Sequence, residues 1–162
     1  MANPKAARRR TPSATANRPG GSAAVIQLIY VESSALVAAL LEHDASVIKR
    51  LPAGTRRVTS PLTLSEAGRA IIRGRTTGRL TAESEKAAVR ALRTFERRCF
   101  VLEVNQALDR VRRSFPAEPI RTLDAIHLAT AELLGEPPQL VTIVTRDERV
   151  RANALALGYA IE

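Results

Sequence analysis

The sequence predicts an α/β domain of three layers, α/β/α, with helices on both faces of a central, mostly parallel sheet. Three observations carry this. Short runs rich in Val, Ile and Leu recur along the chain. Helix-length segments opened by capping residues separate them. The runs are apolar without strict alternation, as strands covered on both faces must be.

The elements follow in order. Residues 25–31 (VIQLIYV) read as a buried strand. Ser33 or Ser34 then caps a helix through Leu41, and Asp44 or Ser46 opens a second short helix to Leu51. Residues 52–54 (PAG) form a turn, and 57–60 (RVTS) a second strand. Ser60 with Pro61 marks a helix start reaching about Arg73. Thr81 caps a long helix over 82–98, and 100–104 (FVLEV) is a third strand. Asn105 caps a helix to about Ser114, and Pro116 and Pro119 mark a loop. Thr122 caps a helix over 123–134 that Gly135 ends. Residues 140–145 (LVTIVT) are a fourth buried strand. Residues 147–157 form a helix ended by Gly158, and 159–161 a last short strand.

Composition excludes several classes. Cys99 is the single cysteine of the 162 residues, so an intramolecular disulfide and a cysteine zinc site are excluded. His43 and His127 are too few for a three-histidine site. With 3% aromatics and no Trp, a broad base-stacking platform is not expected. The longest apolar run, 35–41, is far short of a membrane span.

The formal charge is +9. Lys5, Arg8, Arg9, Arg10 and Arg18 supply five charges to residues 1–24, which hold no acid. This Pro, Gly, Ser and Arg-rich stretch reads as a disordered basic tail ahead of a domain over 25–162. Arg8–Arg10 resemble the start of a signal peptide, but the polar stretch 11–21 with two prolines argues against one, and the expected location is cytoplasmic. The remaining basic excess fits either solubility or a polyanionic partner such as RNA or DNA.

Four acids occupy suggestive places. Glu32 directly follows the first strand, and Glu66 lies in the first turns of the helix after the second. Asp124 opens the helix after Thr122, and Asp147 follows the fourth strand. In a parallel sheet, strand ends and helix starts share one edge, where sites form. Close carboxylates repel unless a cation neutralises them, and such oxygen donors suit Mg²⁺ or Mn²⁺. Taken alone, Asp124 and Glu66 read equally well as helix-terminus charges and Asp147 as a cap, whereas Glu32, beside a buried strand, is costly without a partner.

Four segments then appear in order: IYVESSAL at 29–36, TSPLTLSE at 59–66, RTLDAIHLA at 121–129 and VTRD at 144–147. Together they resemble the PIN-domain proteins, and most of all the VapC ribonuclease toxins of bacterial toxin–antitoxin pairs. The resemblance covers roughly 26–161, and its most specific part is DAIHLATA from Asp124. It implies a PIN-like α/β/α domain with Mg²⁺- or Mn²⁺-dependent endoribonuclease activity. It also implies an RNA substrate, a cognate antitoxin that blocks the pocket, and a homodimer, with no membrane association. Carried over by position, the metal ligands are Glu32, Glu66, Asp124 and Asp147, with Glu32, Asp124 and Asp147 catalytic. Ser34 and Thr145 match hydroxyl residues that orient a ligand or water.

Glu32 departs from the pattern, because the first acid of the family is usually Asp. The extra methylene moves the carboxylate, which a rigid octahedral site tolerates poorly. The alternative is therefore a catalytically weakened PIN-fold protein that binds RNA or a partner. A phosphoryl-accepting receiver-like domain ranks lower, because it wants a late-strand Lys and none follows Lys86.

Arg69, Arg73, Arg75 and Arg79 form a basic run after Glu66 and are read as RNA-phosphate contacts or a solvated loop. His127 reads as a locally satisfied helix histidine rather than a ligand, and His43 as exposed. Leu123, Ile126, Thr130 and Leu133 form the expected core stripe of their helix. Leu36, Val37, Leu40 and Leu41 suit ordinary core, a dimer contact or an antitoxin groove.

Overall fold

The computed structural model describes residues 26–44 and 51–162. The expected basic tail over 1–24 and the short helix toward Leu51 lie outside the described residues, save for the ends of the latter. Five strands are described: β1 (Gln27–Val31), β2 (Thr55–Thr59), β3 (Phe100–Val101), β4 (Val141–Val144) and β5 (Ala160–Ile161). Six helices are described: α1 (Ser33–Leu41), α2 (Pro61–Thr76), α3 (Ala82–Glu96), α4 (Ala107–Arg110), α5 (Thr122–Glu132) and α6 (Glu148–Ala156).

All pairings are parallel, in the order β3-β2-β1-β4-β5. The chain winds outward from β1 through β2 to β3, then returns to β1's other side with β4. Order therefore reverses between β1 and β4, which opens a crevice beyond their carboxyl ends. One core packs Tyr30, Val58, Ile143 and Val150 against Leu128 of α5, and the other packs Val31, Leu36 and Val144 against Phe95 of α3. Tyr30 and Val31 face opposite sides of β1, as the two-residue period of a strand requires.

Several expected details differ. The cap of α1 is Glu32, whose side chain accepts from the Ser34 amide, not Ser33 or Ser34. Thr122 lies inside α5, and extended Arg121 holds the cap position without a side-chain bond. β3 stops at Val101, because this edge strand pairs on one side only, and Phe100 is 64% exposed. The helix expected over 105–114 shrinks to Ala107–Arg110. Arg110 there folds back onto the Arg113 and Ser114 carbonyls and onto the Phe115 ring, which closes the chain after one turn.

The α5 stripe is also different. Leu123 is 46% exposed, and the buried face is Ala125, Leu128, Ala129 and Ala131 with His127 and Thr130. Small side chains let the helix lie close to the sheet, so alanines rather than the larger apolar residues set its face. The starts of α2 and α3 follow expectation, with Ser60 and Thr81 accepting from the amides three residues on. Gly135 and Gly158 end α5 and α6 with φ of +67° and +89°, a region closed to most side chains.

Candidate acidic site at the sheet edge

β1 delivers Glu32 to the crevice. Its amide donates to the Val144 carbonyl (3.0 Å) and its carbonyl accepts from Leu36, so the residue joins strand, sheet neighbour and helix start. The side chain is 3% exposed. A buried carboxylate is costly unless donors surround it. Here Ser33 Oγ donates to Oε1 (2.6 Å), while the Ser34 amide (3.0 Å), Ser34 Oγ and Thr145 Oγ1 (2.9 Å) all donate to Oε2. The N-terminus of α1 adds its partial positive charge.

Ser34 and Thr145 thus meet on one oxygen of Glu32 from segments more than a hundred residues apart. Both are tied further. Ser34 Oγ accepts from the Arg146 amide (2.8 Å), and Thr145 Oγ1 from the Asp147 amide (3.1 Å).

α2 brings Glu66 to the same edge. Thr59 and Thr63 both donate to the Val31 carbonyl, at 3.1 and 3.4 Å, which locks the start of α2 against the end of β1. α5 brings His127, whose Nε2 lies 2.8 Å from Glu66 Oε2 and 3.6 Å from Glu32 Oε1. Glu32, Glu66 and His127 each offer one ligand atom within 4.8 Å of the others. Burial pushes the Glu66 carboxyl up, but hydrogen bonds from His127 and Ser33 outweigh it and hold the group below its ordinary value.

Asp124, one helical turn before His127, stands beside this group. Burial raises its pKa, and the charges of Asp147 and Glu32 raise it further, against Arg121 and His127. Its Oδ2 is buried with no hydrogen-bond partner among the described residues. Asp147 caps α6, with Oδ1 accepting from the Arg149 (2.8 Å) and Val150 (3.2 Å) amides.

The four acids expected from sequence therefore share one edge, with Glu32 and Glu66 in the tight group, Asp124 coupled electrostatically to Glu32, and Asp147 coupled to Asp124. The orphaned Asp124 oxygen, raised by neighbouring carboxylates, is the environment a divalent cation relieves. The donor set fits a hard cation.

Arg69, Arg73, Arg75 and Arg79 are all exposed. Arg69 and Arg73 lie about one and two turns along α2 from Glu66. Arg75 is engaged by Glu85 at 3.5 Å. Arg73 and Arg79 line a cavity of about 460 Å³ with Val37 and Leu41 of α1.

Sequence reasoning read His127 as locally satisfied rather than a ligand, without naming its partners, and passed over Tyr30 and Ser33 as site residues. The available signal was spacing: three residues separate Asp124 from His127, which puts them on neighbouring positions of one helix face.

A parallel α/β sheet with acids gathered where its strand order reverses defines an α/β protein whose acidic cluster could hold a metal ion. The PIN domain model matches residues 29–155, and the chain belongs to the PIN-domain family. Among curated relatives, "Ribonuclease VapC35" of Mycobacterium tuberculosis is 34% identical over 83% of this chain and 95% of its own length. "Ribonuclease VapC46" of the same species is 36% identical over 82% of this chain and 95% of its own. Among solved structures, PAE2754 from Pyrobaculum aerophilum aligns with a TM-score of 0.53 at 26% identity, covering 85% of this chain and 98% of that one.

Proposed function

We propose that this protein is a VapC-type endoribonuclease toxin that hydrolyses RNA phosphodiester bonds with Mg²⁺ or Mn²⁺. The observation that carries the reading is Asp124, whose unpartnered buried oxygen sits among the charges of Asp147 and Glu32. The ribonuclease relatives supply the substrate class.

Glu32, Glu66, Asp124 and Asp147 are the residues that would hold the cation. When bound, it supplies an activated water and a clamp on the scissile phosphate. The chain's own residues do the rest. Ser34 and Thr145 hold Glu32 Oε2, which fixes the direction of that carboxylate. Glu32, Asp124 and Asp147 border the place where the phosphodiester reacts. Arg69 and Arg73 on α2 and Arg79 just after it meet flanking phosphates, and Arg75 does so in competition with Glu85. The α1–α2 face, with Val37 and Leu41, offers an apolar surface to an antitoxin or to a second copy in a homodimer. Among the described residues no helix is long and apolar enough to cross a membrane. The proposed setting is the cytoplasm, with its RNA.

A second reading is favoured by one observation. Glu32 stands where the family usually has Asp, and four donors already engage its carboxylate. On that reading the chain binds RNA or a partner without cleaving. Incubation of antitoxin-free protein with structured RNAs in Mg²⁺ or Mn²⁺ decides, with EDTA and Asp124→Asn as controls. Cleavage that needs both metal and Asp124 is expected. No cleavage by folded protein in either metal, restored by Glu32→Asp, would establish the second reading.

A further inference from the structure

With Glu66 ionised, His127 carries a proton on the nitrogen that faces the acids. Its ring is 1% exposed and lies between Tyr30, which is fully buried, and the two glutamates. Nδ1 is 3.2 Å from the Tyr30 hydroxyl, and Nε2 is 2.8 Å from Glu66 Oε2. An ionised carboxylate only accepts, so an approach of 2.8 Å needs Nε2–H. In the neutral ring, Nδ1 is then an acceptor and the Tyr30 hydroxyl donates to it. Alternatively Tyr30 donates to Ser60 Oγ, at 3.4 Å, and a doubly protonated ring donates from both nitrogens.

We propose that Tyr30 and His127 form a positioning relay for the acidic site, in which His127 presents an N–H to Glu66 and Glu32 and does not bind the cation. The geometric group Glu32, Glu66 and His127 has three possible ligand atoms, but only the two carboxylates have lone pairs to give. The ring instead fixes where Glu66 points, as Ser34 and Thr145 do for Glu32. An orienting histidine that stands behind a carboxylate ligand reverses the usual arrangement, in which a carboxylate orients a metal-bound histidine. The proposal rests on the metal-dependent nuclease reading for its purpose, but its test needs no RNA.

The test uses the full chain, ¹⁵N-labelled at histidine, with His43→Gln to assign the two rings. Long-range ¹H–¹⁵N spectra should show Nε2 of His127 protonated without metal and still protonated in saturating Mg²⁺. Mn²⁺ binding is then measured on variants by calorimetry. His127→Gln keeps a donor near the Nε2 position and should hold affinity within about threefold, whereas His127→Ala should lose about 10- to 100-fold. Tyr30→Phe removes only the hydroxyl and reports if His127→Ala fails to fold. It should leave Nδ1 without its hydroxyl partner, keep the proton on Nε2 and weaken Mn²⁺ binding.

An unprotonated Nε2 in the metal-free protein, or loss of its proton on adding Mg²⁺, would overturn the relay. So would equal losses for His127→Gln and His127→Ala, since a true ligand is not replaced by an amide donor. Failure of the nuclease reading looks different: Mn²⁺ binding with rescue by Gln, but no RNA cleavage, keeps the relay and removes the enzyme. If no Mn²⁺ binds, the metal-free spectrum still decides whether His127 is the donor.

Discussion

Asp124 holds its charge in unfavourable surroundings. Its raised pKa comes first from burial and then from the Asp147 and Glu32 carboxylates. A charge held in such surroundings destabilises the metal-free fold, and Asn removes the charge with little change of shape. Asp124→Asn should therefore raise the melting temperature of metal-free protein while lowering RNA cleavage by more than the roughly 100-fold upper range for an outer-shell residue. A melt in EDTA beside a cleavage assay reads both effects. A lower melting temperature would mean that the Asp124 charge is stabilising and that the cation argument is wrong. Glu32 is the opposite case, a buried acid whose donors are all local or one strand away. Its place after β1 was legible in the sequence. Its role as the cap of α1 was not, because the sequence offered Ser33 and Ser34 as conventional caps.

At the scale of elements, Asp147 has two roles that substitution separates. It caps α6 through the Arg149 and Val150 amides and contributes charge to the acidic edge. Asn caps about as well as Asp, so Asp147→Asn should leave denaturant stability nearly unchanged while cleavage falls. Asp147→Ala should lose cleavage and also about 1 kcal/mol of stability. Equal stability of the two variants would show that the cap contributes nothing. The loop entering α5 has its own electrostatic clamp. Glu118 accepts from the Phe115 (3.0 Å) and Ile120 (2.8 Å) amides, and those bonds hold its carboxyl below the ordinary value. A lowered acid contributes fully above its unfolded pKa and is lost as pH falls through its folded one. Protection of the Phe115 and Ile120 amides from hydrogen exchange should therefore fall on acidification below about pH 4.5, its unfolded value. The effect should be absent in Glu118→Gln. The helix starts at Ser60 and Thr81 were legible because a cap and its partner are three residues apart. The short α4 was not, since the Arg110 contacts around its end include a bond to Glu132 on another element.

For the whole molecule, the basic balance and the acidic edge act together. The logarithm of RNA affinity should fall linearly with log salt, and Arg73→Ala or Arg79→Ala should reduce that slope by about 0.7 for each phosphate of single-stranded RNA that the variant no longer neutralises. Arg75→Ala should change it less, because Glu85 already engages that guanidinium. Filter binding in EDTA, where no cleavage intervenes, measures this, and identical slopes for all variants would remove the run from the RNA surface. Divalent cation should also stabilise the fold as a whole, by about 2.7 kcal/mol at a hundredfold excess over the dissociation constant. Asp124→Asn should lose most of that gain in a thermal melt with Mn²⁺.

The sequence by itself determined the fold class, the order of strands and helices and the four acids at strand ends and helix starts. Those features rest on local periodicity, on caps and on the geometry shared by all parallel sheets. Only the tertiary structure decided which side β4 takes beside β1, and with it the meeting of Ser34 with Thr145 and of Tyr30 with His127. Tyr30 and His127 are 97 residues apart and come from a strand and a helix with no shared local pattern. Their meeting depends on how α5 packs on the sheet, and that is set by the alanine face of the helix and the winding of the whole chain, which no window of neighbouring residues contains.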